Sequence, residues 1–444
     1  MTMDVVGAGE ELDVNTPLLP SKDPFLRPPK GFAAKSPGTI LRSRTVEIAL
    51  FGRVSQQVRA WQLLYRSADL HGAPEVAITT VLLPLDADPA EDRPLLAFQS
   101  AMDAVAEHCS PSYALRKGAK ALGTVTQLEL LLVANALRRG WAVSIADHEG
   151  IHGNFGAPRE PGYRALDGIR AALRFAPLGL RPDTKVAVWG YSGGGMASSW
   201  LVEMAPTYAP EISIVGAALG APVGDPGEVF ARLNGTRYVG LPAIVIAALR
   251  GLYPALATII NDELTPEGHR FMARAARSTP LGVLVALANQ KFDDYLPRPL
   301  AEVLDEPPLR AMLDELRLGN ATPTCPMLVL QPVHDQIIHV DGVDGQVRRY
   351  RRGGAHVTYL RDRYSEHLSL LPLSTSYSLD WLADRIAGAP ATENSDRTIR
   401  SVVGSVAGAR GLLTIAATAA KVALGRPLRQ ETIPATASTR ARAA

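Results

Sequence analysis

The sequence predicts an α/β fold with a mostly parallel central sheet and a helical insertion that forms a cap or lid. Predicted strands and helices alternate from about residue 95 to residue 220, which is typical of parallel strands joined by right-handed helical crossovers. The strand signal lapses between about residues 225 and 320 and then returns. A glycine-rich turn at 190–195 joins one strand directly to a helix. The chain is therefore predicted to form one sheet domain interrupted by a helical unit.

Composition limits the classes of function. The 444 residues are 47% apolar and carry 46 Lys and Arg against 44 Asp and Glu, a net charge of +2. This length and apolar content suit one large domain with insertions. The balanced charge gives no broad basic surface, so nucleic acid is not an expected partner. Cys109 and Cys325 are the only cysteines; they form no disulfide framework, and a single bridge between them stays open.

The ends of the chain differ in composition from the centre. Residues 1–24 are polar and proline-bearing, and we interpret them as a flexible N-terminal arm. No apolar run of signal-peptide length is visible there. The protein is thus expected either to stay in the cytoplasm or to be exported by a signal that this sequence does not reveal. Ordered structure is expected over 25–390.

The first strands read as an antiparallel meander formed by Thr45–Gly52, Ala60–Arg66 and Glu75–Leu83. The alternating part follows, with strands at 95–98, 142–146, 186–189 and 212–219 and helices at 124–139, 163–175 and 196–203. Two later strands, 327–331 and 356–360, resume the sheet after the insertion. Alternation of this kind predicts that the carboxyl ends of the central strands meet at one edge.

The insertion at about 225–320 contains apolar helical segments such as Gly240–Gly251 and Leu281–Asn289. We interpret it as a cap over the carboxyl edge of the strands that supplies apolar walls for a substrate. A second helical domain without a catalytic role is the alternative.

The segment 391–444 is predicted to be an alanine-rich, helical and partly disordered C-terminal tail. Ser401–Gly425 is helical in composition, but Arg410 and Lys421 interrupt it, so it is a poor membrane-spanning helix. A docking or interfacial helix is the preferred interpretation. Disorder is expected for 430–444.

The stretch VAVWGYSGGGMAS, residues 186–198, carries the first chemical signal. A strand that turns abruptly into a helix forces its apex residue, Ser192, into strained backbone angles and needs small neighbours such as Gly190 and Gly194. With Tyr191 these residues form a Gly-x-Ser-x-Gly nucleophile elbow. A turn serine without catalytic role is the alternative. A phosphate loop is disfavoured because Met and Ala follow the last glycine where Lys and Ser or Thr would be required.

A nucleophilic serine needs a histidine base and a carboxylate that orients it. In α/β-hydrolases the acid and then the histidine follow two late strands, in the order Ser, Asp, His. Asp335 lies in the loop after 327–331 and His367 in the loop or helix start after 356–360, and none of the other eight histidines lies there. These positions predict an α/β-hydrolase fold. The rival acids are Asp341, Asp344 and Asp362.

The oxyanion hole requires two backbone donors, one of them Gly193 after the nucleophile and one from the loop after an early strand. That loop reads QSAMDAVAEHCSPSYAL from residue 99 and lacks the usual His-Gly-Gly-Gly run. Asp103 or a near neighbour must therefore donate. A helix N-cap is the alternative role for Asp103.

Several motifs in order now resemble the secretory lipase family of fungi and actinobacteria, including the Candida type A lipases, over residues from about 24 to 386. They are CSPSYAL at 109–115, DHEG at 147–150, GYSGG at 190–194, HDQIIHV at 334–340 and the pair Glu366–His367. The resemblance implies a hydrolase of triacylglycerols or other carboxylic esters with a helical cap, no metal and no organic cofactor. It also implies that the oxyanion aspartate is Asp103, acting with Gly193.

Two features depart from the family or invite a second interpretation. Secretion is not supported by this N-terminus, and the disulfide of some members lacks a second cysteine here unless Cys325 serves. In the DHEG run we interpret Asp147 and Glu149 as loop organisers rather than as catalytic acid and base.

The expected function is ping-pong hydrolysis of long-chain acyl esters through Ser192, His367 and Asp335. A short-chain carboxylesterase, an acyltransferase with the same triad and a non-catalytic protein on a hydrolase fold are the alternatives. The expected partner is an acyl ester or lipid, with transient lipid-surface contact through the cap or the C-terminal helix. The sequence does not predict the oligomeric state.

Overall fold

A ten-stranded mixed sheet organises the computed structural model, which describes residues 16–390 and 393–431. The strands of the described chain are β1 (Ile40–Thr45), β2 (Ala49–Leu50), β3 (Val54–Ser55), β4 (Arg59–Ala68), β5 (Pro74–Leu83), β6 (Leu95–Gln99), β7 (Ala142–Ala146), β8 (Val186–Tyr191), β9 (Ile214–Gly220), β10 (Met327–Pro332), β11 (Val357–Asp362) and β12 (Ser395–Ile399). Their order in the sheet is β1-β4-β5-β7-β6-β8-β9-β10-β11-β12. The strands from β7 through β12 in this order run parallel, and β1, β4, β5 and β7 pair antiparallel. The predicted parallel sheet is confirmed, and the antiparallel meander before it is confirmed for β4 and β5 but begins with β1.

Helices cover both faces of this sheet. They are α1 (Pro111–Ala114), α2 (Val125–Arg138), α3 (Glu160–Arg174), α4 (Gly193–Tyr208), α5 (Pro226–Leu233), α6 (Gly240–Leu249), α7 (Pro254–Glu263), α8 (Pro266–Arg277), α9 (Pro280–Ala286), α10 (Leu300–Leu304), α11 (Pro307–Leu316), α12 (Val340–Arg352), α13 (His367–Ile386) and α14 (Val406–Ala423). Side chains of one strand alternate between the two faces. In β8, for example, Val186 and Val188 join the core under α3 and α4, whereas Ala187 and Trp189 join the core under α2, α13 and α14.

The prediction of one strand over Thr45–Gly52 is wrong. Strand β1 ends at Thr45, and β2 pairs with β3 in a separate small hairpin. Phe51 and Gly52 adopt φ of 53° and 67°, the left-handed conformation that reverses the chain in a tight hairpin. An apolar run therefore ended in a turn that its composition did not indicate.

The predicted domain limit at residue 390 is also wrong, because β12 extends the sheet by one parallel strand next to β11. Its sequence SDRTI is polar and largely exposed, so it lacks the apolar alternation by which strands are recognised. The segment is a strand only because its backbone forms hydrogen bonds with β11. The helix α14 then packs on α2 and α13, so the described part of the predicted tail belongs to the domain.

Most of the predicted N-terminal arm, residues 1–15, and the end of the predicted C-terminal tail, residues 432–444, lie outside the described residues. Within the predicted N-terminal arm, Asp23 is ordered by an ion pair with Arg44 at 2.7 Å. Within the predicted disordered end, Glu431 pairs with Arg138 of α2. Residues near both ends of the described chain therefore contact the body of the fold.

Seven helices, α5 to α11, occupy the segment between β9 and β10, where the described chain forms no strand. Apolar side chains of α6, α8, α9 and α10 share a core with Met196 and Trp200 of α4. Phe155 from the loop before α3 joins the same core. The insertion is thus anchored to the helix that starts at Ser192.

Of the described helices, α14 alone is long and apolar enough to cross a membrane, and 22% of the window that meets this criterion is buried. Helices α6 and α7 meet it only as a pair bent by 117°. Such length and composition also occur in helices of soluble proteins.

Cys109 and Cys325 are both buried free thiols. Burial raises the pKa of each thiol to about 12, so neither is a thiolate near neutrality.

Candidate active site

The elbow at Ser192 has the strained geometry that its sequence predicts. Ser192 adopts φ 54° and ψ −122°, and its N–H donates to the carbonyl of Gly220 at 2.9 Å. A Cβ on Gly190 would lie 2.1 Å from the Gly194 carbonyl oxygen, and one on Gly194 would lie 2.0 Å from that of Gln99. Only glycine fits at these two positions, and the serine hydroxyl is held at the start of α4.

Two further side chains meet this hydroxyl. His367 Nε2 lies 2.9 Å from Ser192 Oγ, and His367 Nδ1 lies 2.8 Å from Asp335 Oδ2. Both distances are hydrogen-bonding distances. Asp335 and His367 are 5% and 4% exposed, so water has little access to the pair. The structure therefore brings together, in one hydrogen-bonded chain, the three residues that the sequence singles out.

Asp335 is held by the loop in which it lies. Its Oδ1 accepts the N–H groups of Ile337 and Ile338, each at 2.8 Å, and Gln331 Nε2 donates to Oδ2 at 3.3 Å. Oδ2 thus keeps one strong bond, to His367. These contacts hold the Asp335 carboxylate in place, and the carboxylate in turn orients the imidazole of His367.

His367 is the first residue of α13. Glu366 and Ser369 form a capping box at this helix start, and the Tyr191 hydroxyl donates to the His367 carbonyl at 2.5 Å. The rings of Tyr191 and His367 pack with centroids 5.5 Å apart. The residue before the nucleophile therefore positions the base.

The rival carboxylates have structural partners. Asp362 accepts the N–H groups of Tyr364 and Ser365 and so shapes the loop that precedes His367. Asp344 accepts from Tyr359 and Arg361, and Asp341 pairs with His339. None of the three is hydrogen-bonded to His367.

Asp103 lies beside Gly193, but the expectation that its backbone amide donates to an oxyanion is wrong. That N–H already donates to Glu149 Oε1 at 2.9 Å. The side chain turns towards α4 instead: a Cβ on Gly193 would lie 1.8 Å from Asp103 Oδ1, and this buried oxygen has no hydrogen-bond partner. Asp103 adopts φ 43°, so strain at this position presents the carboxyl group to the nucleophile.

Burial, reinforced by the charge of Glu129, raises the pKa of Asp103 to about 8. Burial likewise raises the pKa of Glu149. Two neighbouring buried carboxyl groups do not both ionise readily. Glu149 accepts two amide hydrogen bonds, from Asp103 and Ala104, whereas Asp103 Oδ1 accepts none. Since the pKa values of both carboxyl groups are raised, Asp103 can hold a proton near neutral pH and donate a hydrogen bond.

An open pocket lies above Ser192 and Asp103. Its other walls are almost entirely apolar and come from α4, the loops before α3 and after β9, the cap and the loop after Asp335: Phe155, Gly156, Gly193, Met196, Val223, Pro226, Val229, Phe230, Leu241, Pro242, Val245, Ile337 and Ile338. An apolar pocket with few polar groups at one end suits a ligand with an apolar chain and a polar reacting group.

Comparison with known proteins assigns the chain to a family. The secretory lipase family matches residues 115–394, and lipase A of Arthroderma benhamiae is 34% identical over 84% of this chain and 81% of its own length. The chain belongs to the secretory lipase family. The predicted resemblance and the predicted α/β-hydrolase fold are confirmed.

Two relatives of this member of the secretory lipase family differ in the activity that their descriptions give. A Mycobacterium tuberculosis protein described as a "probable inactive lipase" is 48% identical over 93% of this chain and 92% of its own. The solved structure of Candida antarctica lipase A is similar in fold, with a TM-score of 0.80 at 24% identity, covering 94% of this chain and 100% of that one. Family membership supports ester hydrolysis.

Two carboxylates of the DHEG run organise loops in this protein, as the sequence predicts. Asp147 accepts the N–H and the hydroxyl of Ser112 at 2.8 and 2.5 Å, and Glu149 holds the backbone on either side of Asp103. His148 lies between them and contacts the Ser100 carbonyl at 2.8 Å. No group of three or more His, Cys, Asp or Glu that could hold a metal ion is found in the described part of the chain.

Two contacts that position the candidate site could not be found from the sequence. The Tyr191 hydroxyl reaches a residue 176 positions later in the chain, and Glu149 captures an amide 46 positions earlier. Neither pairing has a local signal. The side-chain orientation of Asp103 could be inferred only once its amide was seen to be engaged.

Proposed function

We propose that this secretory lipase family member is a serine hydrolase that cleaves carboxylic esters with long acyl chains, most simply triacylglycerols. The observation that carries the proposal is the hydrogen-bonded chain from Ser192 through His367 to Asp335 at the floor of an apolar pocket. Release of fatty acid from tributyrin and triolein by the purified chain, followed by titration at constant pH, tests it. If the protein hydrolyses neither tributyrin nor triolein, the proposal is wrong.

The proposed reaction proceeds in two halves. Ser192 Oγ attacks the ester carbonyl while His367 Nε2 takes its proton, and Asp335 stabilises the imidazolium. The tetrahedral intermediate collapses, the C–O bond to the alcohol breaks, and His367 returns the proton to the leaving alcohol. Water then attacks the acyl-enzyme with the same histidine as base, releasing the fatty acid and restoring Ser192.

Two donors would stabilise the oxyanion. One is the Gly193 N–H at the start of α4, where the helix dipole also favours negative charge. The other is the protonated carboxyl group of Asp103, which lies against Gly193. A preorganised donor of this kind acts where charge develops in the transition state.

A second apolar cavity, within the cap, favours a substrate with a long acyl chain. Phe230 lines both this cavity and the pocket above Ser192. Helix α6 also serves both, with Val245 facing the pocket and Ile246 facing the second cavity. Each methylene transferred from water to such a site gains about 0.8 kcal/mol. A chain too long for the first pocket can therefore gain binding energy in the second.

Filling the second cavity should select against long chains. Val303 lines it and does not line the pocket above Ser192. We expect Val303→Phe to lower the ratio of kcat/KM for p-nitrophenyl palmitate to that for p-nitrophenyl butyrate about tenfold, the equivalent of roughly two lost methylene contacts. This ratio is independent of the fraction of folded enzyme. Val285→Phe, at a cap residue that is 83% exposed, is the matched control, and an unchanged ratio in Val303→Phe would refute the long-chain assignment.

The pH profile should report the proton on Asp103. With a pKa raised to about 8, the carboxyl group is protonated below that pH and donates to the oxyanion, and it becomes a repelling carboxylate above it. We expect kcat for p-nitrophenyl butyrate, corrected for the pH dependence of p-nitrophenol absorbance, to fall as the pH rises through about 8. Asp103→Asn, which does not ionise, should lose this alkaline limb. If Asp103→Asn keeps the same fall in kcat above pH 8 as the parent protein, another group causes that fall.

A hydrolase fold without ester hydrolysis is the second candidate, favoured by the mycobacterial relative described as a "probable inactive lipase". A fluorophosphonate probe separates the two. Modification of Ser192, located by mass spectrometry, would show an activated nucleophile even where no natural ester is known. Lack of modification in a folded protein would favour the inactive candidate.

A further inference from the structure

The outer face of α14 is apolar and exposed, although this helix ends the described domain. Val406, Leu413 and Leu424, the last directly after the helix, are 71%, 70% and 69% exposed. The inner face packs on the domain through Ile415, Thr418 and Val422. Large apolar side chains that recur on one side of a helix mark a surface that contacts something other than water.

These side chains share one stripe with two cations. At 100° per residue, a stripe about 80° wide contains Val406, Arg410, Leu413, Ala417, Lys421 and Leu424. Arg and Lys carry long apolar stems that can lie along an apolar layer while their charges reach its polar boundary. The pattern is typical of a helix that lies in the interface of a lipid layer.

Basic residues predominate in the segment that contains α14, where Lys421 is the one basic residue of the helix that is paired, with Glu431 just beyond the helix. The stretch 397–429 contains no Asp or Glu and six basic residues: Arg397, Arg400, Arg410, Lys421, Arg426 and Arg429. The whole chain, by contrast, has a net charge of only +2. Basic residues next to an exposed apolar face complement a layer of anionic lipid headgroups.

We propose that α14 is a docking surface for an anionic lipid layer, with the helix axis in the plane of that layer. A spanning orientation is disfavoured because Ile415 and Val422 hold the inner face to the domain core. After the helix, Leu428 receives a hydrogen bond from the Leu85 N–H at 3.0 Å, which ties the C-terminal end to the body. The proposal goes beyond ester hydrolysis and does not rest on it.

The test is vesicle flotation with full-length Ser192→Ala protein, so that no lipid can be consumed. The vesicles are phosphatidylcholine alone or phosphatidylcholine with about one-third phosphatidylglycerol. We expect binding to the anionic vesicles only, and severalfold weaker binding at about 1 M salt, where the Debye length is about 3 Å. Leu413→Glu with Leu424→Glu should weaken the binding at least about tenfold. Both positions are exposed, so the fold should tolerate the change.

Val285→Glu, at the exposed cap position, is the matched control and should bind anionic vesicles as the parent protein does. If this variant loses binding and the α14 variant keeps it, the cap is the lipid surface and the proposal is wrong. A dimer in light scattering that the α14 variant converts to monomers would assign the stripe to a second copy of the chain and would also overturn it. Esterase activity on soluble p-nitrophenyl butyrate, measured on the same substitutions with Ser192 intact, should be unchanged. That readout separates failure of docking from failure of the proposed hydrolysis.

Discussion

Replacing Ser192 with alanine should reduce kcat for p-nitrophenyl butyrate by at least about three orders of magnitude. The Ser192 hydroxyl lies 2.9 Å from His367 Nε2, and Ser192 lines the pocket. Without it no acyl-enzyme can form, and the activity that remains comes from the oxyanion donors and from substrate binding. Initial rates of p-nitrophenol release measure the loss. The same variant should also take up no fluorophosphonate.

The control for this prediction uses the non-additivity of residues that act as a unit. His367→Ala should lose a similar factor, and the double variant should lose little more than either single one. Thermal unfolding of each variant checks that the fold persists. Wild-type rates in Ser192→Ala would contradict the proposed mechanism, and fully additive losses would show that the two residues act in separate steps.

Removing the carboxyl group of Asp103 should have the second largest effect. We expect Asp103→Ala to lower kcat about 10²- to 10³-fold with little change in KM, because an oxyanion donor acts in the transition state and not in the ground state. The buried Oδ1 against Gly193 is the contact that the variant deletes. Steady-state kinetics on p-nitrophenyl butyrate, at a pH below 7, measure both constants.

Asp103→Asn provides the comparison, since its amide nitrogen can donate a hydrogen bond from the same position. It should retain at least about tenfold more activity than Asp103→Ala. Asn tolerates the positive φ of 43° at this residue. The activity of Asp103→Asn is therefore not lowered by added backbone strain. Equal loss in both variants, or loss confined to KM, would mean that Asp103 shapes the pocket and does not bind the oxyanion.

Features with a local cause could be predicted from the sequence. The elbow depends on steric crowding within a few residues of Ser192, and glycines at 190 and 194 report that crowding directly. Asp335 and His367 follow the ends of two adjacent parallel strands, and parallel strands bring their carboxyl ends to one edge. Order along the chain therefore placed both residues near the serine.

Features decided by partners far away in the chain could not be predicted. The polar strand β12 exists because β11 offers it an edge, and no alternation in SDRTI reveals that. The limit placed at residue 390 failed for this reason.

The sequence by itself determined the α/β-hydrolase fold, the strained serine and the identity of its partners, because strand periodicity, glycine sterics and the order of loops are properties of short segments. Only the tertiary structure shows which group of Asp103 is available to a substrate. Its backbone amide is taken by Glu149, which leaves its side chain as the group that faces Gly193. Which of two donors on one residue remains available depends on competition for hydrogen bonds between distant segments, and such competition has no signature in local sequence.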